Sequence, residues 1–240
     1  MVSQRSRPQK GVATRPPGPR LLFATRNPGK LREVLELLDG LDWQIEGLPP
    51  GAPDCEETGA SFADNARGKA LFTSRSTDLP VLADDSGLVI DALGGEPGVH
   101  SARYLDPAME QAQRNRAVLA KLTGVKPENR TARFICHLVL AYRGRFVHET
   151  RGSCEGLIAD RARGGGGFGY DPIFLAPELG RTFAELSGEE KTACSHRGAA
   201  VRAMARYLAG WRPGVDEIEE KAGEGDPVGG EIREARDQLS

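Results

Sequence analysis

TARFICHLVLAYRGRFVHETRGSC, residues 131–154, contains two long runs rich in β-branched and aromatic residues. Such runs predict β-strands, and only Arg143 and Gly144 separate them, which is the length of a tight hairpin turn. We therefore predict an antiparallel hairpin with strands over 131–142 and 145–154. Because antiparallel strands pair without a helical crossover, we expect this hairpin to form a second lobe beside a helix-covered part of the sheet.

Helix-like and strand-like segments alternate on both sides of the hairpin. The first predicted helix carries apolar residues at the i, i+3, i+4, i+7 spacing of a buried face, namely Leu31, Val34, Leu35 and Leu38. Strands are predicted at about 21–25 and 172–175, and helices at about 29–38, 60–76, 108–122 and 195–208. This mixture predicts an α/β fold with a mixed sheet and flanking helices.

The chain of 240 residues, 39% of them hydrophobic, suits one domain or two tightly joined lobes. Residues 1–20 hold five basic residues, no acidic residue and four prolines, and residues 213–240 hold nine acidic and three basic residues. Both ends are predicted to be disordered tails around a domain at 21–212. Charges in that domain are nearly balanced, which argues against a dedicated nucleic-acid-binding protein.

The sequence argues against a membrane protein and against a disulfide-stabilised protein. No apolar run approaches the roughly 18 residues that span a bilayer, and the N-terminus lacks a secretory signal, so we expect a cytoplasmic protein with no membrane contact. The cysteines contain no CxxC pair, and their wide spacing predicts reduced thiols rather than a disulfide framework or structural zinc site. They are Cys55, Cys136, Cys154 and Cys194.

A candidate anion site follows the first strand in LLFATRNPGK, residues 21–30. Thr25 and Asn27 supply polar side chains, and the helix that follows is expected to direct free N–H groups at a ligand. Lys30 adds a positive charge suited to phosphate. On this segment alone, a capped helix with a solvated lysine is the better interpretation.

Two acidic pairs are candidates for a metal site. PVLADDSGLVIDALGG, residues 80–95, reads as two strands joined by an acidic turn that contains Asp84 and Asp85. Glu56 and Glu57 form a second pair ahead of a predicted helix. Carboxylates of this kind suit magnesium, which bridges one or two of them to substrate phosphates. The alternatives are turn formation by the aspartates and capping of the helix start by the glutamates.

Two further clusters have the chemistry of a base-binding site. GGGGFGYDP, residues 164–172, combines glycines that permit close backbone approach with aromatic residues that can stack on a base. The alternative is a flexible glycine linker, but a linker would not need the aromatic and acidic residues that follow the glycines. Three basic residues, Lys191, His196 and Arg197, lie near the start of the last predicted helix. The alternative interpretation of these three residues is an exposed basic turn of the helix.

In order and spacing, five segments resemble the inosine/xanthosine triphosphate pyrophosphatases, which remove deaminated purine nucleotides from the precursor pool. The segments are LLFATRNPGKLREV, EETGASFADNARGKA, LADDSGLVIDALGGEPGVHSARY, GGFGYDPIF and ELSGEEKTACSHRGAA. The resemblance covers about residues 20–210. It implies two lobes around a central nucleotide-binding cleft, a homodimer, and magnesium-dependent hydrolysis of ITP, dITP or XTP to the monophosphate and pyrophosphate.

The resemblance also implies roles for individual residues. Asp85 would be the general base, Lys30 would stabilise charge at the reacting phosphorus, and Ser86 would contact substrate. Glu56 or Glu57 would complete the metal site with Asp85. The remaining substrate-binding residues would be Thr25, Arg26, Asn27, Pro28, Gly29, Phe168, Gly169, Tyr170, Asp171, Lys191, His196 and Arg197. Arg26 occupies a position where the family often has glycine, which should leave phosphate binding undisturbed if its side chain points outward.

Two rival functions make different predictions. A Maf-like enzyme acting on modified pyrimidine nucleotides would use similar lysine and carboxylate chemistry, but it should lack the GGFGYDP and SHRG segments that this chain contains. A nucleotide sensor, or a nucleic-acid-binding protein using the basic N-terminal arm, would bind without turnover. The combination of lysine, acidic pair and base-binding loop favours an enzyme over a sensor.

Overall fold

A computed structural model describes residues 18–214, which form one seven-stranded mixed sheet and five α-helices. The strand order is β2-β1-β3-β4-β5-β6-β7. The strands are β1 Arg20–Phe23, β2 Gln44–Gly47, β3 Val81–Ile90, β4 Thr131–Tyr142, β5 Arg145–Ile158, β6 Phe174–Ala176 and β7 Arg181–Thr182. The helices are α1 Pro28–Leu37, α2 Phe62–Ser74, α3 Gln111–Lys121, α4 Gly188–Cys194 and α5 His196–Gly210. The predicted α/β fold is confirmed.

The predicted hairpin is present as β4 and β5, and it forms the centre of the sheet. Arg143 and Gly144 have φ angles of 51° and 76°, so both turn residues adopt the left-handed conformation of a type I′ turn. Strands β1 and β2 are parallel, and β1 is parallel to β3, whereas β3 and β4 are antiparallel. The hairpin therefore joins a small parallel part of the sheet to an antiparallel part.

The core consists of three groups of buried side chains distributed along the hairpin. Leu138 and Leu140 of β4 pack with α1 and α5, whereas Phe134 of the same strand packs with Phe174 and Phe183. A third group lies between α2 and the opposite face of the sheet. The hairpin thus belongs to both lobes instead of forming the second lobe by itself, because a twelve-residue strand is long enough to contribute to two cores.

The predicted acidic turn in residues 80–95 is wrong. Val81–Ile90 is one continuous strand, and all ten of its residues pair with β4. Asp84 and Asp85 lie in the middle of this strand, where both are almost completely buried. Adjacent charges in sequence suggest a turn because burying them is costly, but here cations and hydrogen-bond donors from distant segments compensate them. Those partners are described with the site below.

Leu35 is the other correction to the predicted core. It is exposed, whereas Leu31, Val34, Leu37 and Leu38 pack against the core under α1 and α5. Helix α1 spans ten residues and packs against α5, and Leu35 lies on the side of the helix that faces solvent. In α2, Ala66 and Ala70 are fully buried.

Two simpler expectations concern the cysteines and membrane-spanning helices. All four cysteines lie within the described residues and are unpaired, as predicted. Within residues 18–214, no helix combines the length and the hydropathy required to cross a bilayer. The predicted tails fall almost wholly outside the described residues, and so their structure is not tested.

Candidate functional site

One large cavity of about 500 Å³ lies where the end of β1, the middle of β3, the loop before β6 and helices α4 and α5 meet. It brings together fifteen of the residues singled out in the sequence. They are Thr25, Arg26, Asn27, Lys30, Glu56, Glu57, Asp85, Ser86, Phe168, Gly169, Tyr170, Asp171, Lys191, His196 and Arg197. Pro28 and Gly29 lie behind this lining in the first turn of α1. Residues from five separate sequence segments therefore converge on one site.

The turn between β1 and α1 is held by its own side chains. Asn27 is the N-cap of α1, and its Oδ1 accepts hydrogen bonds from the backbone N–H groups of Gly29 and Lys30 at 2.8 and 3.1 Å. These two N–H groups are thus bonded to Asn27 and are not free for a ligand. The prediction that they would be free is wrong. Gly29 is required because a Cβ atom there would lie 2.6 Å from the ring of Phe168.

The side chain of Arg26 extends from the turn to the acidic segment before α2 and also lines the cavity. Its guanidinium donates to the carbonyl of Ala52 at 2.6 Å and forms an ion pair with Asp54 at 3.3 Å. Both groups lie in the acidic segment that also carries Glu56 and Glu57. Arg26 therefore links this segment to the turn between β1 and α1 while its own side chain stays half exposed.

Lys30 forms an ion pair with Asp84, with Nζ 2.8 Å from Oδ2. Burial alone would raise the pKa of Asp84, but the charges of Lys30, Arg197 and Lys69 outweigh it and lower the pKa to about 2. Asp84 is consequently a permanent anion that holds the lysine at the cavity. Its Oδ1 is buried and has no hydrogen-bond partner among the described residues.

Asp85 has a different environment, since consecutive residues of a strand point to opposite faces. Its Oδ2 accepts a hydrogen bond from Asn65 Nδ2 at 3.0 Å, and its Oδ1 accepts one from the backbone N–H of Ser86 at 2.9 Å. Burial raises the pKa of Asp85 to about 6, more than nearby Lys30 and Asn65 lower it. The site thus contains one carboxylate that is always ionised and one that exchanges protons near neutral pH.

Glu57 is integrated into the site, and Glu56 is exposed. Glu57 forms ion pairs with Lys69 and with Arg103, and these cations overcome the effect of burial and lower its pKa. Neither glutamate caps α2, because Ser61 is its N-cap and accepts a hydrogen bond from Asp64 N. Capping is therefore ruled out as the role of this acidic pair.

The basic residues near the last helix are buried, so the alternative of an exposed basic turn is wrong. Lys191 Nζ donates to Asp171 Oδ2 at 2.5 Å and to Glu33 Oε1 at 2.7 Å. Arg197 donates to Glu33 Oε2 at 2.5 Å and to Ser86 Oγ at 2.8 Å. Glu33 thus links the two cations, and Arg197 connects them to the strand that bears the aspartates.

Phe168 is a partly exposed aromatic residue that lines the cavity. Lys191 Nζ lies 4.7 Å from the centre of its ring, and the Arg197 guanidinium lies 5.5 Å away. Tyr170 instead is buried, and its hydroxyl donates to the carbonyl of Ser101 at 2.9 Å. Asp171 accepts from the backbone N–H of Phe168 at 2.7 Å, which fixes the loop that presents the ring.

His196 is a neutral donor or acceptor in this environment. It is buried and stacks on Phe134, with ring centres 4.6 Å apart. Burial, together with the charges of Arg197 and Lys191, lowers its pKa well below the usual value. Its Nδ1 and the Nε of Arg197 have no hydrogen-bond partners among the described residues. Two buried polar atoms beside the cavity therefore lack a hydrogen-bond partner among the described residues.

Four residues of the site were missed in the sequence, namely Glu33, Asn65, Lys69 and Arg103. Lys69 donates to the carbonyl of Asp84 at 2.9 Å, and Asn65 donates to Asp85. These two residues of α2 are four positions apart, so they share a helix face, and that spacing could have been noticed beside the acidic pairs. Glu33 lies one turn after Lys30 on α1. Arg103 gives no comparable signal, because it lies in irregular structure.

The carboxylates fit a magnesium ion that keeps most of its waters. No group of three or more histidine, cysteine, aspartate or glutamate side chains is arranged around a common point within residues 18–214. Magnesium needs only one or two carboxylates when phosphate oxygens and water complete its octahedron. Glu57 and Asp85 line the same cavity, and Asp84 Oδ1 nearby lacks a partner. This donor set is composed of oxygen atoms, as magnesium requires.

Together the fold and the cavity define an α/β protein whose cleft combines a cationic and acidic centre with an aromatic wall. The model of the Ham1 family matches residues 21–207. The chain belongs to this family, which confirms the resemblance found in its sequence.

Named relatives and solved structures agree with this assignment. The chain is 49% identical over 183 residues to a dITP/XTP pyrophosphatase of Geobacillus kaustophilus, covering 75% of this chain and 90% of the relative. It is 49% identical over 188 residues to a dITP/XTP pyrophosphatase of Thermus thermophilus, covering 78% and 90%. A HAM1 protein from Coxiella burnetii has a TM-score of 0.73 and 41% identity, with 79% of this chain and 98% of that chain covered.

Proposed function

We propose that this protein is an enzyme that hydrolyses the non-standard purine nucleotides dITP, XTP and ITP to the nucleoside monophosphate and pyrophosphate. The observation that carries the proposal is the convergence of Lys30, Asp85 and Phe168 on one cavity of nucleotide size. The names of the relatives above support the substrate class. Removal of deaminated purines from the nucleotide pool would be the biological result.

Phosphate binding is assigned to the turn between β1 and α1. Lys30 would neutralise the phosphate charge and stabilise the transition state, and it is held in place by Asp84 at 2.8 Å. Thr25 and Asn27 would donate to phosphate oxygens, while Arg26, Pro28 and Gly29 shape the turn. Because phosphoryl transfer depends mainly on positioning and charge, a fixed lysine supplies much of what the reaction needs.

Asp85 is proposed as the general base. A pKa of about 6 means that its carboxylate is largely ionised at neutral pH and can still accept a proton from water. The reaction breaks the bond between the α- and β-phosphates, and the proton lost by the attacking water passes to Asp85. Ser86 lies beside this carboxylate and would contact the substrate.

Magnesium is the proposed cofactor, and when bound it would neutralise the phosphates and lower the pKa of a coordinated water. Asp85 and Glu57 would hold it. Glu57 is favoured over Glu56 because it is half buried and close to Lys69, while Glu56 faces solvent. The protein is further proposed to act as a homodimer in the cytoplasm, without binding nucleic acid or membranes.

Base selection is assigned to the wall formed by Phe168, His196 and Arg197. The purine would stack on Phe168, with Gly169, Tyr170, Asp171 and Lys191 supporting the loop and the ring. The 6-oxo group of hypoxanthine and xanthine accepts hydrogen bonds, and the guanidinium of Arg197 or a neutral His196 can donate one. The 6-amino group of adenine would instead place a donor against a donor, which is a strong basis for discrimination.

A substrate panel tests the proposal. Pyrophosphate release is measured with magnesium from ITP, dITP, XTP, ATP, GTP, CTP and UTP. We expect rapid release from the first three and rates at least a hundredfold lower from the others, because an unpaired polar group in the site costs several powers of ten. Release mainly from pyrimidine nucleotides would support the Maf-like alternative, and tight binding with no release would indicate a sensor.

Replacing Phe168 by alanine should weaken nucleotide binding more than catalysis. Loss of base stacking is worth about 1–3 kcal/mol, so we expect KM for XTP to rise roughly tenfold while kcat changes by less than about threefold. Steady-state kinetics measures both constants. Phe168→Trp is the matched control, since it keeps a stacking surface and should restore KM. An unchanged KM in the alanine variant would contradict the role given to this ring.

A further inference from the structure

Asn65 is a buried amide that joins two parts of the site. It lies in the first turn of α2 and is only 4% exposed. Its Nδ2 donates to Asp85 Oδ2 at 3.0 Å, and its Oδ1 accepts from the backbone N–H of Gly59 at 2.8 Å. Gly59 ends the segment that carries Glu57. One side chain thus connects the aspartate on β3 with the acidic segment on the other side of the cavity.

The orientation of this amide is determined by its neighbours. The backbone N–H of Gly59 can only donate, so it must face Asn65 Oδ1, and this leaves Nδ2 for Asp85. Gly59 itself is needed for the close approach, because a Cβ atom there would lie 2.7 Å from Asn65 Oδ1 and 2.7 Å from Asp64 Cβ. The two hydrogen bonds therefore form a fixed unit.

We propose that Asn65 is a positioning residue that holds the Asp85 carboxylate and the Glu57 segment in the arrangement required for hydrolysis. This inference rests on the proposed function. Asn65 acts through Asp85 and Gly59. Without its donor, the Asp85 carboxylate would retain only the hydrogen bond from Ser86 N among residues 18–214, and it could rotate away from the attacking water. Misplacement of a reacting group by about 1 Å can lower a rate a hundredfold.

Two substitutions separate the two hydrogen bonds. Asn65→Asp preserves shape and can still accept from Gly59 N, but it cannot donate to Asp85 when ionised. Asn65→Ala removes both bonds. Ser61→Ala is the control for damage to the same end of α2, because Ser61 caps the helix and does not contact Asp85. It should lower the midpoint of thermal unfolding without changing kcat of the folded enzyme.

The kinetic test uses XTP and magnesium with the full chain. We expect kcat to fall at least tenfold in both Asn65 variants, with KM within about threefold of the native value, since the phosphate and base contacts remain. If Asn65→Asp keeps more than half of the native kcat, the donor to Asp85 is unnecessary and the proposal is overturned. It is also overturned if all three variants lose activity only in proportion to their loss of folded protein.

Hydrogen exchange of the metal-free protein supplies a readout independent of turnover. The amide of Gly59 should exchange at least tenfold faster in Asn65→Ala than in the native chain, and close to the native rate in Asn65→Asp. Equal exchange in all three proteins would overturn the anchoring of the Glu57 segment. If the native chain releases no pyrophosphate from any nucleotide, the proposed function fails, whereas this exchange difference would still be observed.

Discussion

Replacing Asp85 by asparagine is expected to lower kcat for XTP hydrolysis by on the order of a thousandfold. General-base catalysis contributes a factor of about 10² to 10⁴, and an amide cannot accept the proton from the attacking water. The asparagine has nearly the same shape, and its carbonyl oxygen can still accept the hydrogen bond from Ser86 N. The loss should therefore appear in kcat, which single-turnover measurements of pyrophosphate release would isolate from binding.

A matched control distinguishes this effect from a simple change of charge. Asp78 is exposed, and it is not among the residues that line the cavity. Asp78→Asn removes the same charge from the chain and should keep kcat within about twofold of the native value. If Asp85→Asn retained a tenth or more of the native kcat, another group would have to accept the proton, and the assignment of Asp85 as general base would be wrong.

Much of this site was predictable because its parts occur as continuous motifs. The turn at Thr25 after β1, the loop at Phe168 and the basic residues at His196 each have local signals in the sequence, and the structure places them around one cavity. The hairpin was equally clear, since Arg143 and Gly144 adopt the conformation that a two-residue turn requires. Such features can be predicted from the sequence because neighbouring residues alone determine their backbone conformation.

Other features depend on contacts between distant segments. Asp84 and Asp85 look like turn residues until Lys30, Lys69 and Arg197 are brought beside them by folding. The environment of each carboxylate then depends on which face of β3 carries its side chain. Glu33 gave no motif of its own, although it links Lys191 to Arg197. Charge compensation of this kind is a property of the tertiary structure and is not visible as periodicity.

The contrast between the two aspartates leads to a prediction about stability. The folded-state pKa of Asp85, about 6, is above the ordinary value of 3.8, so its ionisation at neutral pH opposes folding. This shift corresponds to roughly 3 kcal/mol. The folded-state pKa of Asp84, about 2, is below 3.8, so its ionisation favours folding. Neighbouring residues of the same strand should therefore respond in opposite directions to the same substitution.

At pH 7.5 and without metal, Asp85→Asn should raise the free energy of unfolding by about 2 kcal/mol. The gain is smaller than the roughly 3 kcal/mol of the pKa shift. The NH₂ group of the new amide faces the NH₂ group of Asn65, which costs about 1 kcal/mol. Urea denaturation in EDTA measures it. The substitution that abolishes catalysis would thus stabilise the fold, as expected when a site holds a group in an unfavourable environment for function.

Asp84→Asn should lower the free energy of unfolding by about 3 kcal/mol under the same conditions. It leaves Lys30 partly buried without its partner, and breaking a buried ion pair typically costs about 3–5 kcal/mol. Urea denaturation again provides the measurement. If Asp84→Asn were as stable as the native chain, the ion pair with Lys30 would contribute nothing to the folded state.

The pH dependence distinguishes these effects from changes in packing. The penalty from Asp85 is absent below pH 3.8 and complete above about pH 6, so the advantage of Asp85→Asn should largely disappear at pH 4.0. The contribution of Asp84 is complete above pH 3.8 and is lost only as the pH falls through about 2, so Asp84→Asn should remain destabilised at pH 4.0. An advantage of Asp85→Asn that was equal at pH 4.0 and 7.5 would have to arise from packing, because the variant and the native chain differ in ionisable groups only at residue 85.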